Sequence, residues 1–250
     1  MNRHLSQVGN DVLPPAQQGE VYYRYVLGLY ALLAELQARF PNLIIENCSA
    51  GGGRLDFGML AYTHQTWLSD LTDPVDRAKI ENGVSYLFPP NVFSTHVSAS
   101  PNGQNGRVTS LQTRLNLASI GNLGFEMALE TLTAADKQLV KRQGQQVKTW
   151  QPDFNEAYFY RLQDWRDDAS CQAWLLVTPD HKQALCFYTT GLSSAVKVPH
   201  QLPLHYLADQ RYYRVNGQRQ SGQSLNLVGL QISPPSRDFE NQLVWLQATD

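Results

Sequence analysis

The spacing of apolar residues predicts alternating helices and strands in the first half of the chain. Between Gln17 and Phe40 apolar residues recur every three or four positions, which predicts an amphipathic helix. Leu43 to Ile45 follow as a short run containing β-branched residues, which is typical of a strand buried on both faces of a parallel sheet. The alternation continues with a strand-like stretch ending at 67–70, a helix at 74–87 and a strand-like stretch at 92–98. A helix at 111–120 and a short segment at 124–127 follow.

Repeated strand–helix units favour a parallel sheet or a barrel. Polar side chains stand where each strand is expected to end, and barrel enzymes place their active sites at that position. Four such units are too few to close an eight-stranded barrel. The pattern of this part of the chain is therefore compatible with a parallel sheet or with part of a barrel.

The pattern changes after a helix predicted at 134–143. Aromatic and β-branched runs then alternate with turn-forming pairs such as Pro179-Asp180 and Asn216-Gly217. The clearest predicted strands lie at 158–162, 173–177, 184–188, 212–215 and 243–246. We therefore predict an α/β plus all-β chain that divides into an α/β part at 1–148 and an antiparallel β domain at 149–250.

Charge and cysteine content narrow the expected partners. The formal net charge of −2 provides no basic surface for nucleic acid and no polybasic patch for an anionic membrane. The N-terminus lacks an apolar signal core, and no apolar stretch is long enough to span a bilayer. Cys48, Cys171 and Cys186 lack the spacing of a disulfide framework or a zinc site. We expect a cytoplasmic protein with reduced thiols, and neither nucleic acid nor membrane as a partner.

Three carboxylates lie close together after the glycine run Gly51-Gly52-Gly53. Asp73 precedes a proline that suits the first position of a helix, so we expect Asp73 to be the N-cap. Asp76 falls in the first turn, where a carboxylate favours the helix dipole. Asp70 ends a predicted strand beside Trp67, and its position alone is compatible with proton donation or with a structural hydrogen bond.

The segment from Glu46 to Arg77 resembles the signature of family 36 glycoside hydrolases, the α-galactosidases of the melibiase and raffinose-degrading type. Its ENCSAGGGR is similar to the family's Cys-Ser-x-Gly-Gly-Gly-Arg, and its WLSDLTD to Trp-x-Ser-Asp-x-Thr-Asp. The resemblance extends to MNRH at the start of the chain, to Phe88–Arg114 and to Gly124–Glu126, whereas Met127-Ala128 departs from the family pattern.

This resemblance implies the C-terminal half of a (β/α)8 barrel as a partial barrel domain at 1–148, followed by an antiparallel β-sandwich domain at 149–250. It also implies retaining hydrolysis of terminal α-D-galactosyl residues in galactosides such as melibiose and raffinose. Asp70 matches the general acid/base, and Cys48 and Gly51 match positions that line the galactose subsite. Cys48 is also compatible with a small residue buried below the site. Trp67 either forms a wall of the subsite or packs under Asp70. No metal or organic cofactor is implied.

Three polar residues near the predicted site are expected to have structural roles. We expect Arg54 and Asp56 to form an ion pair that fixes the glycine loop. His96, at a later strand end, is compatible with contact to the site, although we favour a structural role in which it is held in a hydrogen bond.

MNRH resembles the residues that directly follow the family's nucleophilic Asp, so the nucleophile has no counterpart in these 250 residues. We therefore expect the isolated chain to be inactive, with an N-terminal barrel half or a homo-oligomer partner completing the site for α-galactoside oligosaccharides. A non-catalytic remnant or galactoside-binding fragment is the alternative, as is galactosyl transfer to a sugar acceptor. Linkage preference stays open.

Overall fold

The structure is a computed structural model that describes residues 9–249. The segment Met1–His4, which carries part of the family resemblance, lies outside the described residues. Within the described part, contacts divide the chain into two compact units. The first contains residues up to Asp70 together with Val92–Ser94, and the second contains Leu71–Asn91 and the residues from Thr95 onward.

The first unit combines a long helix with the start of a parallel sheet. Its helices and strands are α1 (Glu20–Arg39), β1 (Glu46–Asn47), the single turn α2 (Ser49–Gly52), α3 (Phe57–Leu60) and β2 (Gln65–Trp67). β1 pairs in parallel with β2, and β2 pairs in parallel with Phe93 and Ser94 at the start of the next strand. Parallel strands joined by helical segments are the units of an α/β barrel.

The helix predicted at 17–40 is confirmed as α1, but the strand predicted at 43–45 is wrong. β1 begins only at Glu46, and the Leu43 and Ile44 side chains are exposed among the described residues. The strand begins late because hydrogen-bonded pairing with β2 begins late. The Ile45 carbonyl accepts a hydrogen bond from His64 N at 2.9 Å, and the ladder with β2 starts one residue later. An apolar run marks burial tendency, whereas a strand needs a hydrogen-bonded neighbour.

The second unit contains the remaining barrel elements and the β domain. Its elements are α4 (Pro74–Val84), β3 (Phe93–Ser98, whose first two residues belong to the first unit), α5 (Leu111–Ala118), β4 (Asn122–Glu126), α6 (Ala134–Phe154), β5 (Tyr158–Gln163), β6 (Cys171–Val177), β7 (Gln183–Thr190), β8 (His200–Leu202), β9 (Tyr212–Val215), β10 (Gln218–Ser221), α7 (Gly222–Leu227), β11 (Leu230–Ile232) and β12 (Asn241–Ala248). α6 runs well past the predicted 134–143 because Val147, Trp150 and Phe154 bury an apolar stripe in the core.

Six strands form one antiparallel sheet in the order β10-β9-β12-β7-β6-β5, and β8 pairs with β11 in a second, two-stranded sheet. Side chains alternate between the two faces of the large sheet. On one face, Leu175 and Val177 pack with Leu202 and Leu230 of the small sheet. This sheet-on-sheet packing is the predicted β-sandwich.

The opposite face of the large sheet packs against barrel helices. Trp174, Leu176 and Phe187 form a core with residues of α4, α5 and α6. Two side-chain hydrogen bonds add to this core: Trp174 Nε1 donates to Asn82 Oδ1 at 3.0 Å, and Gln172 Nε2 donates to the Ala78 carbonyl at 2.9 Å. The face of β6 that carries Gln172 is therefore fixed against α4.

Candidate active site

Asp70 lies just beyond the carboxyl end of β2, where a parallel sheet presents its functional side chains. Its carboxylate is exposed and accepts a hydrogen bond from Trp67 Nε1 at 3.2 Å. The Trp67 side chain is only 7% exposed, so the donor is fixed by the packing around it. Trp67 therefore packs beside Asp70 and also orients its carboxylate.

The glycine run forms a left-handed turn against the backbone that carries Asp70. Four consecutive residues have positive φ, namely Ser49 (58°), Ala50 (55°), Gly51 (71°) and Gly52 (84°). The turn is closed by hydrogen bonds from Gly52 N to the Cys48 carbonyl and from Gly53 N to the Ser49 carbonyl, both at 3.1 Å. Left-handed turns are disfavoured for residues with a Cβ atom, and such strain concentrates at functional sites.

Glycine is required in this turn because of close approach as well as conformation. A Cβ atom on Gly51 would lie 2.7 Å from Asp70 N, and one on Gly52 would lie 2.6 Å from the Leu68 carbonyl oxygen. Both distances are shorter than van der Waals contact. The turn therefore packs directly on the segment 68–70 and sets the position of the Asp70 backbone.

Cys48 occupies a different place from the other predicted site residues of this unit. It is half-buried and lines a cavity of about 240 Å³ together with Leu29, Leu33, Asn47 and Met59. Gly51, Trp67 and Asp70 do not line this cavity in the described structure. The structure thus brings Gly51, Trp67 and Asp70 together and leaves Cys48 at the start of the turn, facing a cavity lined by both apolar and polar residues.

The predicted ion pair between Arg54 and Asp56 is wrong. Within the described residues the two side chains have other partners. Arg54 Nη2 donates to Tyr25 Oη at 2.6 Å, and Asp56 caps α3 by accepting from Met59 N at 2.8 Å. Desolvation and the neighbouring Asp56 carboxylate raise the pKa of Tyr30, whose hydroxyl also contacts Asp56. The loop after the glycines is thus tied to α1 through two tyrosines and not by a local charge pair.

A row of polar side chains crosses the three parallel strands, and the sequence analysis did not assign it. Gln65 Nε2 donates to Glu46 Oε2 at 2.6 Å and to Ser94 Oγ at 3.3 Å, and Ser94 Oγ also donates to Glu46. Glu46 and Gln65 are direct partners in the parallel ladder. The sequence did contain a signal for this row, namely a polar residue on each of three successive strands. Inward-facing residues of barrel strands form shared layers, so these polar residues could have been expected to meet.

The remaining candidates lie in the second unit. Asp73 is confirmed as the N-cap of α4, accepting from Val75 N at 3.2 Å and Asp76 N at 3.1 Å, and it also pairs with Arg107. His96 packs against Gly124, where an added Cβ would lie 2.3 Å from its Cδ2 atom. Among residues 9–249, no three His, Cys, Asp or Glu side chains are grouped so that they could hold a metal ion.

Across residues 9–249, every helix is too short or too polar to cross a bilayer.

A carboxylate at the mouth of a parallel sheet, followed in sequence by an antiparallel β domain, is the architecture of barrel-type glycoside hydrolases. Residues 1–155 match the family model described as Melibiase, and residues 171–246 match that of the glycosyl hydrolase family 36 C-terminal domain. The chain belongs to the melibiase family.

Known relatives agree with this assignment. The chain is 55% identical to α-galactosidase 2 of Pediococcus pentosaceus over 247 residues, which is 98% of this chain and 34% of the relative. The crystal structure of a variant of the family 36 α-galactosidase AgaA from Geobacillus stearothermophilus in complex with raffinose covers all of this chain, with a TM-score of 0.94 and 39% identity. The α-galactosidase from Lactobacillus brevis also covers all of it, with a TM-score of 0.94 and 33% identity.

These matches confirm the predicted fold class, a barrel part followed by an antiparallel β domain. The chain spans about a third of the length of the relatives it matches. It covers 34% of the Pediococcus protein and 35% of the chain in each of the two crystal structures.

Proposed function

We propose that this chain carries the acid/base half of a retaining α-galactosidase active site, which hydrolyses terminal α-D-galactosyl residues of galactosides such as melibiose and raffinose. The observation that supports this best is the exposed Asp70 carboxylate, held by the Trp67 indole and backed by the left-handed glycine turn. Family membership supports the same chemistry.

In the proposed mechanism Asp70 first donates a proton to the departing glycosidic oxygen and then activates the water that releases galactose. A retaining enzyme also needs a nucleophilic carboxylate about 5 Å from the acid/base. We propose that this nucleophile comes from a barrel strand outside residues 9–249. A separate barrel half or a homo-oligomer partner could supply it.

We assign subsite roles to the side chains around Asp70. Trp67 orients the carboxylate and walls the subsite, and the backbone at Gly51 approaches the sugar closely because it carries no side chain. Cys48, at the start of the turn, contacts galactose from below or packs beneath it. We also propose the barrel and β domains as 1–148 and 149–250, and a cytoplasmic location, which suits three free cysteines.

The test uses a full-length chimaera. In it, this chain replaces the matching 247-residue segment of the α-galactosidase 2 from Pediococcus pentosaceus. Asp70→Ala should slow hydrolysis of melibiose severely and spare glycosylation by an aryl α-galactoside with a good leaving group, because that step needs little proton assistance. Asp76→Ala removes a half-buried carboxylate of the first turn of α4 and serves as the matched control.

Azide then decides the role of Asp70. Azide needs no general base, so it should attack the glycosyl-enzyme intermediate of Asp70→Ala and give α-galactosyl azide after two inversions. A β-galactosyl azide, from one direct displacement, would identify Asp70 as the nucleophile and refute the assignment.

Two further outcomes separate the alternatives. A chimaera that binds galactose but turns over neither substrate would favour a non-catalytic galactoside-binding role. Products in which galactose is attached to an added sugar acceptor would favour transfer over hydrolysis.

A further inference from the structure

Asn47 is a buried polar side chain at the end of β1, and it has no part in the chemistry proposed above. It is 6% exposed and lies directly opposite Thr66 in the parallel ladder between β1 and β2. β2 is the strand that leads to Asp70. The backbone of Asn47 is therefore held in register with the strand that carries the proposed acid/base.

The Asn47 side chain closes the loop that contains the glycine run. Its Nδ2 donates to the Arg54 carbonyl at 2.6 Å, and the two residues are seven positions apart. A carbonyl oxygen can only accept, so the side-chain amide must present its nitrogen to it. The loop thus leaves the sheet at the backbone of residue 47 and returns, at residue 54, to the side chain of the same residue.

The closed loop contains the left-handed turn. Two residues of the turn, Ser49 and Ala50, carry a Cβ atom at positive φ, a conformation that persists only where the surrounding structure fixes it. The hydrogen bonds within the turn, to the Cys48 and Ser49 carbonyls, fix its shape. They do not fix its position on the neighbouring strand. The bond from Asn47 supplies that restraint, because it joins the far end of the turn to β1.

A second contact holds Arg54 from outside the loop. Arg54 Nη2 donates to Tyr25 Oη on α1 at 2.6 Å, and the guanidinium carbon lies 5.2 Å from the centroid of the Tyr25 ring. Arg54 is therefore held at its backbone by Asn47 and at its side chain by α1. Both contacts restrict movement of the end of the loop.

The turn transmits its position to Asp70 through direct backbone contact. A Cβ atom on Gly51 would lie 2.7 Å from Asp70 N, and one on Gly52 would lie 2.6 Å from the Leu68 carbonyl oxygen. The two backbones touch at this point, so no flexible side chain absorbs a displacement of the turn. Movement of the turn would remove the surface on which the segment carrying Asp70 packs.

We infer that Asn47 is a positioning residue for the proposed acid/base. It acts through the Arg54 carbonyl and the glycine turn, and not by contact with the substrate. This inference rests on the proposed function of Asp70 and adds a residue to it. It predicts that loss of the Asn47 donor weakens proton donation by Asp70 and does not only destabilise the loop.

The test uses Asn47→Leu in the full-length chimaera, because leucine is close to asparagine in shape and lacks the donor. kcat/KM for melibiose should fall about 10-fold, since a shift of about 1 Å at a catalytic group costs about 100-fold and a smaller shift costs less. kcat/KM for an aryl α-galactoside with a good leaving group should fall about threefold or less, because its glycosylation step needs little proton assistance. A variant that only contains less folded enzyme would lose both values by the same factor.

Asn226→Leu is the matched control. Asn226 is also 6% exposed, and its Nδ2 donates to a backbone carbonyl of the β domain, that of Leu207, at 2.8 Å. This variant should lower stability and leave the ratio of the two kcat/KM values unchanged. Tyr25→Phe decides the question if Asn47→Leu does not fold. It removes only the hydroxyl of a side chain that is 41% exposed, and it should change the ratio in the same direction by a smaller factor.

The outcomes distinguish this inference from the proposed function. Suppose that Asp70→Ala shows the expected selective loss on melibiose, while Asn47→Leu, or Tyr25→Phe in its place, affects both substrates equally or neither. The inference is then overturned, and the role of Asp70 stands. The inference is also overturned if Asn226→Leu changes the ratio as much as Asn47→Leu does. If Asp70→Ala itself lacks the selective loss, the proposed function fails and this inference fails with it.

Discussion

Replacing Gly51 with alanine is expected to displace the segment that carries Asp70. The new Cβ would lie 2.7 Å from Asp70 N, 3.1 Å from Ser69 Cα and 3.2 Å from the Ser69 carbonyl carbon. All three atoms belong to the backbone, so no side chain can rotate away. Either the turn or the strand end must move by several tenths of an ångström.

The magnitude follows from two contributions. The positive φ of 71° costs an alanine about 1–2 kcal/mol, and overpacking a site that cannot rearrange costs about 1–3 kcal/mol. Ala50 adopts φ 55° in the same turn, so the conformation alone is tolerated there. The close approach to Asp70 therefore distinguishes position 51, and the sum of the two contributions is about 2–5 kcal/mol.

Two assays check this prediction. Urea denaturation of the chain measures the loss of stability. In the full-length chimaera kcat should fall by about 10-fold or more if the strain is relieved by moving Asp70, since a shift of about 1 Å at a catalytic group costs about 100-fold and a shift of several tenths of an ångström costs less. Gly144→Ala is the matched control: Gly144 lies inside α6 with no atom within 4 Å of an added Cβ, so alanine there should stabilise the helix by about 0.5–1 kcal/mol.

Gly51→Ala would contradict this prediction if its free energy of unfolding stayed within about 0.5 kcal/mol of the parent and its kcat were also unchanged, since surface substitutions without strain fall within that range.

Two more predictions concern named hydrogen bonds. Trp67→Phe removes the hydrogen-bond donor to Asp70 Oδ1. It should reduce kcat of the chimaera about fivefold for melibiose and less for an aryl galactoside with a good leaving group. An equal loss on both substrates would contradict an orienting role. Asp164 has its pKa held well below the ordinary range, chiefly by hydrogen bonding from Arg166. A depressed pKa stabilises the fold above the unfolded value of about 3.9, and this stabilisation is lost as the pH falls below it. Asp164→Asn should therefore be less stable than the parent at pH 7, with a gap that narrows below about pH 4 in urea melts; a constant gap would contradict the assignment.

Much of the fold could be predicted because local patterns agree with the final structure. The strand predicted at 212–215 is confirmed with the same bounds, and those predicted at 158–162, 173–177, 184–188 and 243–246 are confirmed within longer strands. β8 and β11 were missed because each is three residues long and is stabilised by pairing with the other, 28 or more residues away in sequence. Short strands of this kind carry no periodicity long enough to detect.

The sequence alone determined those features of the site that depend on neighbouring residues. Asp73 before Pro74 is a local helix signal, and the structure shows the N-cap. Asp70 after an apolar run predicted a carboxylate at a strand end, and the structure places it there. The order of motifs also indicated the family, because a signature is a property of the sequence.

Tertiary structure decided everything that depends on distant backbone and on contacts between elements. The glycine run was compatible with a flexible turn, and only its packing against Leu68–Asp70 requires the left-handed conformation. Arg54 and Asp56, two positions apart, find different partners because α1 brings tyrosines to both. Lys79 and Gln172 line one cavity although they lie far apart in the chain. Their proximity results from the packing of α4 on β6, a long-range contact that no local pattern encodes.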